Sequence, residues 1–184
     1  IDYDKTVQYP FGYGLSYTEF EQKMGELEEK DGQISVDVEV TNTGDVAGKD
    51  VVEVYYKPPY TNGGIEKSSA NLIEFAKTDL LQPGESQMVT VTFSIEDMAS
   101  YDENNAKAYV LEKGDYVISI NSDSHTVLDQ KTYTADADVV YKGENKRASD
   151  DIAATNVFED AKGDVTYLSR ADHFANYKEA TAEP

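Results

Sequence analysis

Alternation of apolar and polar residues is the feature that most limits what this chain can fold into. Residues 34–40 read Ile-Ser-Val-Asp-Val-Glu-Val, so every second side chain is apolar. Successive side chains of a strand point to opposite faces of a sheet, and a period of two therefore predicts a β-strand with one buried face. Asn42, Thr43 and Gly44 follow as a turn-forming cluster. A sheet with one apolar face must cover that face with a second layer.

The same pattern returns along the chain between turn-forming clusters such as residues 82–85 and 113–115. Strong helical periodicity is missing, and residues 95–101 are predicted to form at most one short helical turn. About seven short strands at this spacing are typical of an immunoglobulin-like β-sandwich, so the predicted fold class is all-β. The predicted strands cover residues 17–27, 34–40, 52–56, 72–81 (one strand or a strand pair), 89–93, 109–110 and 116–120.

Charge and composition exclude several classes of partner. The chain has 36 acidic and 16 basic side chains and a net charge of -20. Phosphate backbones and anionic lipids are held by clustered Lys and Arg, so we expect neither nucleic acid nor a membrane as a partner. The chain has no cysteine, which excludes disulfides and thiolate chemistry. Nothing in the sequence predicts a cellular compartment.

Cofactor and metal sites are not expected either. The two histidines, His125 and His173, lie far apart and lack the spacing of metal ligands. Residues 102–105 read Asp-Glu-Asn-Asn and offer the oxygen ligands that Ca²⁺ prefers, but they lack the spacing of a calcium loop. We therefore predict a solvated turn at this position.

A motif near the start of the chain resembles a known family. Residues 9–18 read Tyr-Pro-Phe-Gly-Tyr-Gly-Leu-Ser-Tyr-Thr. This segment, called the junction motif below, resembles the sequence that leads from the α/β sandwich domain into a fibronectin type III-like domain in glycoside hydrolase family 3 enzymes. Residues 40–48, 51–55 and 80–86 are similar to segments of that module and follow in the same order. The resemblance covers residues 9–122 and implies a fibronectin type III-like β-sandwich.

The C-terminal part of the chain carries a second resemblance. Residues 158–172 are similar to the connector of family 3 members with reversed domain order, in which the catalytic TIM barrel follows the β-sandwich. The two resemblances divide the chain into a junction segment at residues 1–16, the sandwich at residues 17–141 and a connector toward a catalytic domain at residues 142–184. They imply that its partners are the α/β sandwich and TIM-barrel domains of the same protein.

For function, the resemblance implies a non-catalytic accessory domain of a β-glucosidase-like enzyme. Glycoside hydrolysis needs two carboxyl groups that flank the scissile bond. No carboxylate of this chain lies in a context resembling the family's nucleophile or acid/base, so no catalytic residue is expected here. The domain would brace the catalytic domains and could lend a loop to the substrate cleft.

The junction motif supplies the candidate side chains for packing between domains. Pro10 fixes its own φ, and Gly12 and Gly14 permit tight turns of the backbone. The apolar side chains of this segment can therefore pack as anchors where two domains meet. The alternative is an aromatic platform that stacks on sugar rings. The candidates are Phe11, Tyr13, Leu15 and Tyr17.

The longest irregular segment, residues 57–71, has paired prolines followed by paired glycines. Loops of this length in compact domains are often functional. Tyr60, Asn62 and Glu66 carry groups that would hydrogen-bond sugar hydroxyls if the loop reached a substrate cleft. A structural contact between domains is the alternative.

Two further functions stay open at this point. One is a carbohydrate-binding module for β-linked oligosaccharides, which the 14 tyrosines allow, although sugar platforms commonly use the tryptophan that this chain lacks. The other is an adhesin-like extracellular sandwich without an enzyme partner. The junction motif argues against the adhesin, because a free-standing sandwich has no need of it.

Overall fold

The computed structural model describes residues 3–182, and most of its regular structure is antiparallel β. Within these residues, ten strands run in chain order, two short helices lie at the ends, and 3₁₀ turns cover Ile95–Met98, Gly143–Asn145 and Glu159–Ala161. Residues 1–2 of the predicted junction segment and residues 183–184 of the predicted connector lie outside the described residues. The elements are α1 (Tyr3–Thr6), β1 (Phe20–Lys30), β2 (Gln33–Asn42), β3 (Val51–Lys57), β4 (Asn71–Lys77), β5 (Ser86–Ser94), β6 (Ser100–Asp102), β7 (Ala108–Leu111), β8 (Gly114–Asp123), β9 (Thr126–Ala135), β10 (Val139–Tyr141) and α2 (Tyr177–Ala180).

The strands form two main sheets and one small one. The first main sheet has the order β1-β2-β5, and the second has the order β4-β3-β8-β9. The small sheet has the order β10-β7-β6. Every pairing is antiparallel, and the β2–β5 register sets Val36 opposite Val91 and Val38 opposite Val89. The apolar residues of neighbouring strands therefore lie on one face.

The hydrophobic core lies between the two main sheets. The four apolar residues of the 34–40 alternation in β2 are at most 1 % exposed, and they share one cluster with buried residues of β3, β5 and β8. Burying a Val, Ile or Phe side chain is worth about 1.5–3 kcal/mol, so this cluster supplies the main stabilisation of the fold. Its largest fully buried members are Tyr116, Ile34, Met98, Ile118 and Ile120.

The predicted all-β fold class is confirmed, and the structure contains strands that the sequence analysis did not identify. β6, β9 and β10 bring the number of strands to ten, against about seven predicted. The predicted strand at residues 72–81 ends at Lys77, after which Leu81 forms an isolated bridge with Gly48. The predicted helical turn is present as a 3₁₀ turn over Ile95–Met98. Within residues 3–182, no helix is long and apolar enough to cross a membrane.

A buried asparagine ties the end of the junction motif to the sandwich. Asn42 is fully buried, and its side-chain oxygen accepts a hydrogen bond from the Thr18 hydroxyl at 2.8 Å. Its amide nitrogen donates to the carbonyls of Val46 and Leu81 at 2.8 and 2.9 Å. Gly44 allows this close packing, because a Cβ there would collide with Thr18. Asn42 therefore joins three segments at one end of the sandwich.

Candidate functional site

The backbone of the junction motif is fixed against the second main sheet. The amide of Ser124, in the β8–β9 turn, donates to the carbonyl of Phe11 at 2.8 Å. The amide of Tyr13 donates to the carbonyl of Pro10 at 3.1 Å and closes a turn. Just upstream, the ring of Tyr3 stacks on the ring of His125 with centroids 3.5 Å apart. The segment that precedes β1 is thus held at the β8–β9 turn by backbone and ring contacts.

The backbone conformation at position 12 favours glycine, and the residue lies close to Glu53 on β3. The φ of Gly12 is +85°, a conformation that favours glycine, and a Cβ there would collide with the carboxylate of Glu53 on β3. Burial raises the pKa of the Glu53 carboxyl, and Asp123 and Asp50 raise it further, although the hydrogen bond from the Tyr55 hydroxyl acts in the opposite direction. The motif therefore lies directly on an acidic part of the sheet.

The side chains of the junction motif point away from this attachment. Leu15 is 89 % exposed and Tyr17 is 99 % exposed, although Thr18 next to them is buried. Phe11 and Tyr13, the other two predicted packing residues, are also exposed, and the Tyr13 ring lies 5.1 Å from that of Tyr9. The structure thus combines a fixed backbone with four exposed apolar side chains.

The 57–71 loop is anchored by a buried lysine. Lys67 is 6 % exposed, its ammonium forms an ion pair with Glu112, and it donates to the carbonyl of Pro59 at 2.9 Å. A buried ammonium needs such partners, because leaving it unpaired would be costly. These contacts fix the base of the loop against the β7–β8 turn and place its other polar side chains at the surface.

The C-terminal segment returns to this loop. Residues 166–174, called the strap below, lie against it, and both carboxylate oxygens of Glu66 accept hydrogen bonds from the strap. The Ser169 hydroxyl donates at 2.7 Å and the Arg170 amide at 3.1 Å. The Arg170 guanidinium lies over the Tyr60 ring, 4.2 Å from its centroid. The loop and the strap therefore form one contact.

An open cavity of about 940 Å³ lies between the loop, the strap and the start of the chain. Its wall includes the three predicted loop residues, Tyr60, Asn62 and Glu66, together with Phe11 of the junction motif. The strap contributes Leu168, Arg170, His173 and Phe174 to the cavity wall. The structure thus brings Phe11 to the loop residues, whereas Leu15 borders a separate cavity of about 420 Å³ near β3.

Two features of the site were not found from the sequence. The partners of Glu66, Ser169 and Arg170, lie more than 100 positions away, and no local pattern indicates such a contact. The stacking of Tyr3 on His125 likewise joins distant parts of the chain.

Among residues 3–182 there is no group of three or more His, Cys, Asp or Glu side chains placed to hold a metal ion.

The fold and its surfaces define the class of this chain as an immunoglobulin-like β-sandwich domain with attached flanking segments. Comparison with known proteins gives the family. Residues 50–124 match the model of the fibronectin type III-like domain. A β-glucosidase of Kluyveromyces marxianus is 34% identical over 140 residues, which is 76% of this chain and 16% of the relative. β-Glucosidase A of Butyrivibrio fibrisolvens is 43% identical over 128 residues, which is 60% of this chain and 15% of the relative.

Solved structures agree with these relatives. The crystal structure of a β-glucosidase from Paenibacillus barengoltzii superposes with a TM-score of 0.68 at 39% identity, covering 74% of this chain and 16% of that protein. The chain thus spans about a sixth of the length of the proteins it matches. It contains a fibronectin type III-like domain that is similar to the corresponding part of glycoside hydrolase family 3 β-glucosidases.

Proposed function

We propose that this domain is a non-catalytic brace in a β-glucosidase-like enzyme of glycoside hydrolase family 3. In this proposal the two carboxyl groups needed for glycoside hydrolysis belong to other domains of the same protein. The supporting observation is the nearly complete exposure of Leu15 and Tyr17 on a backbone that is fixed by hydrogen bonds on either side. Large exposed apolar side chains on a rigid segment favour a protein partner.

The proposal assigns the junction motif to the contact with the α/β sandwich domain and the C-terminal connector to the contact with a TIM-barrel domain. Exposed apolar residues occur in both flanks, and in the connector they include Ile152, Val157 and Phe158. Interfaces between domains of one chain bury such residues among polar ones. Bracing then stabilises the whole enzyme through burial on both sides of the sandwich.

Substitution of the two most exposed junction residues tests the proposal. In the full-length protein that carries this chain, Leu15→Ser with Tyr17→Ser should lower the melting temperature and the β-glucosidase activity. In the isolated 184-residue chain the same change should leave the melting temperature nearly unaltered, because neither side chain is buried there. Met88→Ser, an exposed apolar position on β5, is the matched control. An unchanged full-length protein would refute the brace.

A carbohydrate-binding role is the second candidate, and the cavity beside Tyr60, Asn62 and Glu66 favours it. Aromatic rings with a carboxylate and an amide are suited to sugar rings and hydroxyls. Against it, Arg170 covers the Tyr60 ring and the strap engages both oxygens of Glu66. A titration of the isolated chain with cello-oligosaccharides, followed by amide NMR shifts, separates the candidates: saturable shifts at the 57–71 loop support sugar binding, and none at millimolar sugar supports the brace.

A further inference from the structure

Glu66 makes more contacts than its position on an exposed loop requires. One carboxylate oxygen accepts the Ser169 hydroxyl and the other accepts the Arg170 amide. The Tyr60 hydroxyl also lies 3.3 Å from both oxygens. Hydrogen bonds to an ionised acceptor are stronger than bonds between neutral groups. The Glu66 carboxylate is therefore the hydrogen-bond acceptor for two consecutive residues of the strap.

The side chain of Arg170 adds two contacts to the same loop. Its guanidinium lies 4.2 Å from the centroid of the Tyr60 ring, and one of its nitrogens donates to the carbonyl of Lys67 at 2.8 Å. A guanidinium over an aromatic face is attracted by the negative face of the ring. Ser169 and Arg170 are therefore bound through their side chains as well as through the backbone.

Both sides of this contact are ordered by their own bonds. The loop side is fixed because Lys67 is buried and bonded to Pro59 and Glu112. The strap side is folded into a turn, in which the Ala171 amide donates to the Ser169 hydroxyl oxygen at 3.0 Å. A contact between two ordered surfaces loses less conformational entropy than one between two flexible segments.

We propose that the 57–71 loop is the docking site for the chain's own Ser169-Arg170 segment, with Glu66 as an acid-sensitive latch that releases the strap when its carboxylate is protonated. Docking directs the C-terminal segment across the cavity wall that also contains Phe11. It also means that a sugar and the strap compete for Tyr60 and Glu66. All residues of the latch lie within this chain, and the inference does not rest on the proposed bracing function.

The charges around the latch favour docking at neutral pH. Arg170 of the strap and Tyr60 of the loop face Glu66, Lys67 is paired with Glu112, and the cavity also contains Tyr3, His125 and His173. Partial burial acts to raise the pKa of Glu66, but the hydrogen bonds from Arg170, Ser169 and Tyr60 outweigh it and lower the pKa. A lowered pKa means that docking is complete above the ordinary carboxyl pKa and weakens as the pH falls through the lowered value.

An NMR pH titration of the full 184-residue chain tests the latch directly. The Arg170 amide proton donates to the Glu66 carboxylate, so its chemical shift should follow the titration of that carboxyl as the pH falls below the ordinary carboxyl pKa. The Glu66→Gln variant should lose this inflection. Glu74→Gln is the matched control, since Glu74 is an exposed carboxylate on β4 that accepts from the amide of its neighbour Phe75. A wild-type Arg170 shift that is flat with pH, or an inflection retained in Glu66→Gln, would overturn the proposal.

Limited trypsin digestion at neutral pH measures release of the strap itself. Docking holds the Arg170 side chain on Tyr60, so cleavage after Arg170 should be about fivefold faster in Glu66→Ala than in the wild type, as expected for the loss of exposed charge-assisted hydrogen bonds. Cleavage after Arg147, which lies over the Tyr109 ring, should not change and serves as the internal reference. Equal rates after Arg170 in the two proteins would show that Glu66 does not hold the strap.

Discussion

The sandwich and the C-terminal segment of this chain are held together by different forces. Between β1 and β10 the structure has one apolar cluster whose central side chains are almost completely buried. Residues 142–182 contain no strand, and their large apolar side chains, such as Ile152, Val157 and Phe158, are exposed. Their contacts with the sandwich are mainly polar, including Lys107–Glu159 at 3.0 Å and Lys162–Glu103 at 3.4 Å.

This difference indicates that the sandwich core supplies the stability of the fold and that the C-terminal segment offers exposed side chains for interaction. Exposed ion pairs contribute about 0–1 kcal/mol each, whereas each buried core side chain contributes about 1.5–3 kcal/mol. We therefore expect the sandwich to fold through its core without needing the C-terminal segment. Five changes to the chain break or sharpen this contrast.

Ile118→Ala should have the largest effect. Ile118 is fully buried on β8 at the centre of the cluster, and removing three carbons leaves a cavity between the sheets. We expect a loss of about 2–5 kcal/mol in the free energy of unfolding, measured by urea denaturation. A loss below about 1 kcal/mol would show that the core does not dominate stability.

Asn42→Ala should come second. The change leaves the buried Thr18 hydroxyl without its acceptor and removes one donor from each of the carbonyls of Val46 and Leu81, although the Leu81 carbonyl keeps the bond from the Gly48 amide. Unsatisfied buried polar groups cost about 1–3 kcal/mol, so we expect a loss of that size by urea denaturation. Thr41→Ala, on the same strand with an exposed hydrogen bond to Ser86, is the control and should lose much less.

Removal of residues 152–182 should change global stability much less. The deletion leaves the apolar cluster intact and retains the Arg147–Asp150 ion pair. We expect a change below about 1 kcal/mol in the free energy of unfolding, because the lost contacts are exposed. A loss comparable to that of Ile118→Ala would mean that the C-terminal segment is part of the folding unit.

Glu66→Ala should act locally, with a still smaller global effect. The variant removes the acceptor for Ser169 and Arg170 while the buried Lys67 anchor stays in place. Amide NMR shifts should change in the strap and the 57–71 loop, and the melting temperature should stay nearly constant. Shift changes spread through β2 and β5 would contradict a separate attachment of the strap.

Glu53→Gln should give the smallest effect, and its sign depends on pH. The raised pKa of Glu53 means that the folded state prefers the protonated carboxyl, so stability falls as the pH rises through the ordinary and then the raised pKa. The variant should therefore be slightly more stable than the wild type at pH 7 and equal to it near pH 4. Thermal melts at the two pH values measure this, and a less stable variant at pH 7 would contradict it.

The sequence predicted the sandwich where side chains alternate. β2 and β5 have one buried face each, which appears directly as a period of two. In β3 and β8 the alternating apolar side chains are also buried, and parts of the opposite face are buried as well. β9 was missed because most of its residues are polar or exposed, including Val127 and Leu128, so the strand is defined by its pairing with β8 and not by its own pattern. β6 and β10 are three residues long, too short for any period.

The candidate surfaces were predictable only in part. The family resemblance indicated the junction motif, and the length and the Pro and Gly content of residues 57–71 indicated the loop. The structure places Phe11 and the loop residues on one cavity. Local sequence could not indicate that Glu66 meets Ser169 and Arg170, because chain segments so far apart are brought together only by the tertiary fold. The roles of these residues in packing or in binding sugar stay predictions.

Hydroxyl-radical footprinting of Tyr17 and Leu15 is the most direct test of the bracing role. The side chains are to be compared in the isolated chain, where they are almost fully exposed, and in the full-length protein that carries it, with the exposed Met88 as the reference. Bracing predicts that both become protected in the full-length protein while Met88 does not. Equal modification of Tyr17 and Leu15 in the two proteins would contradict it.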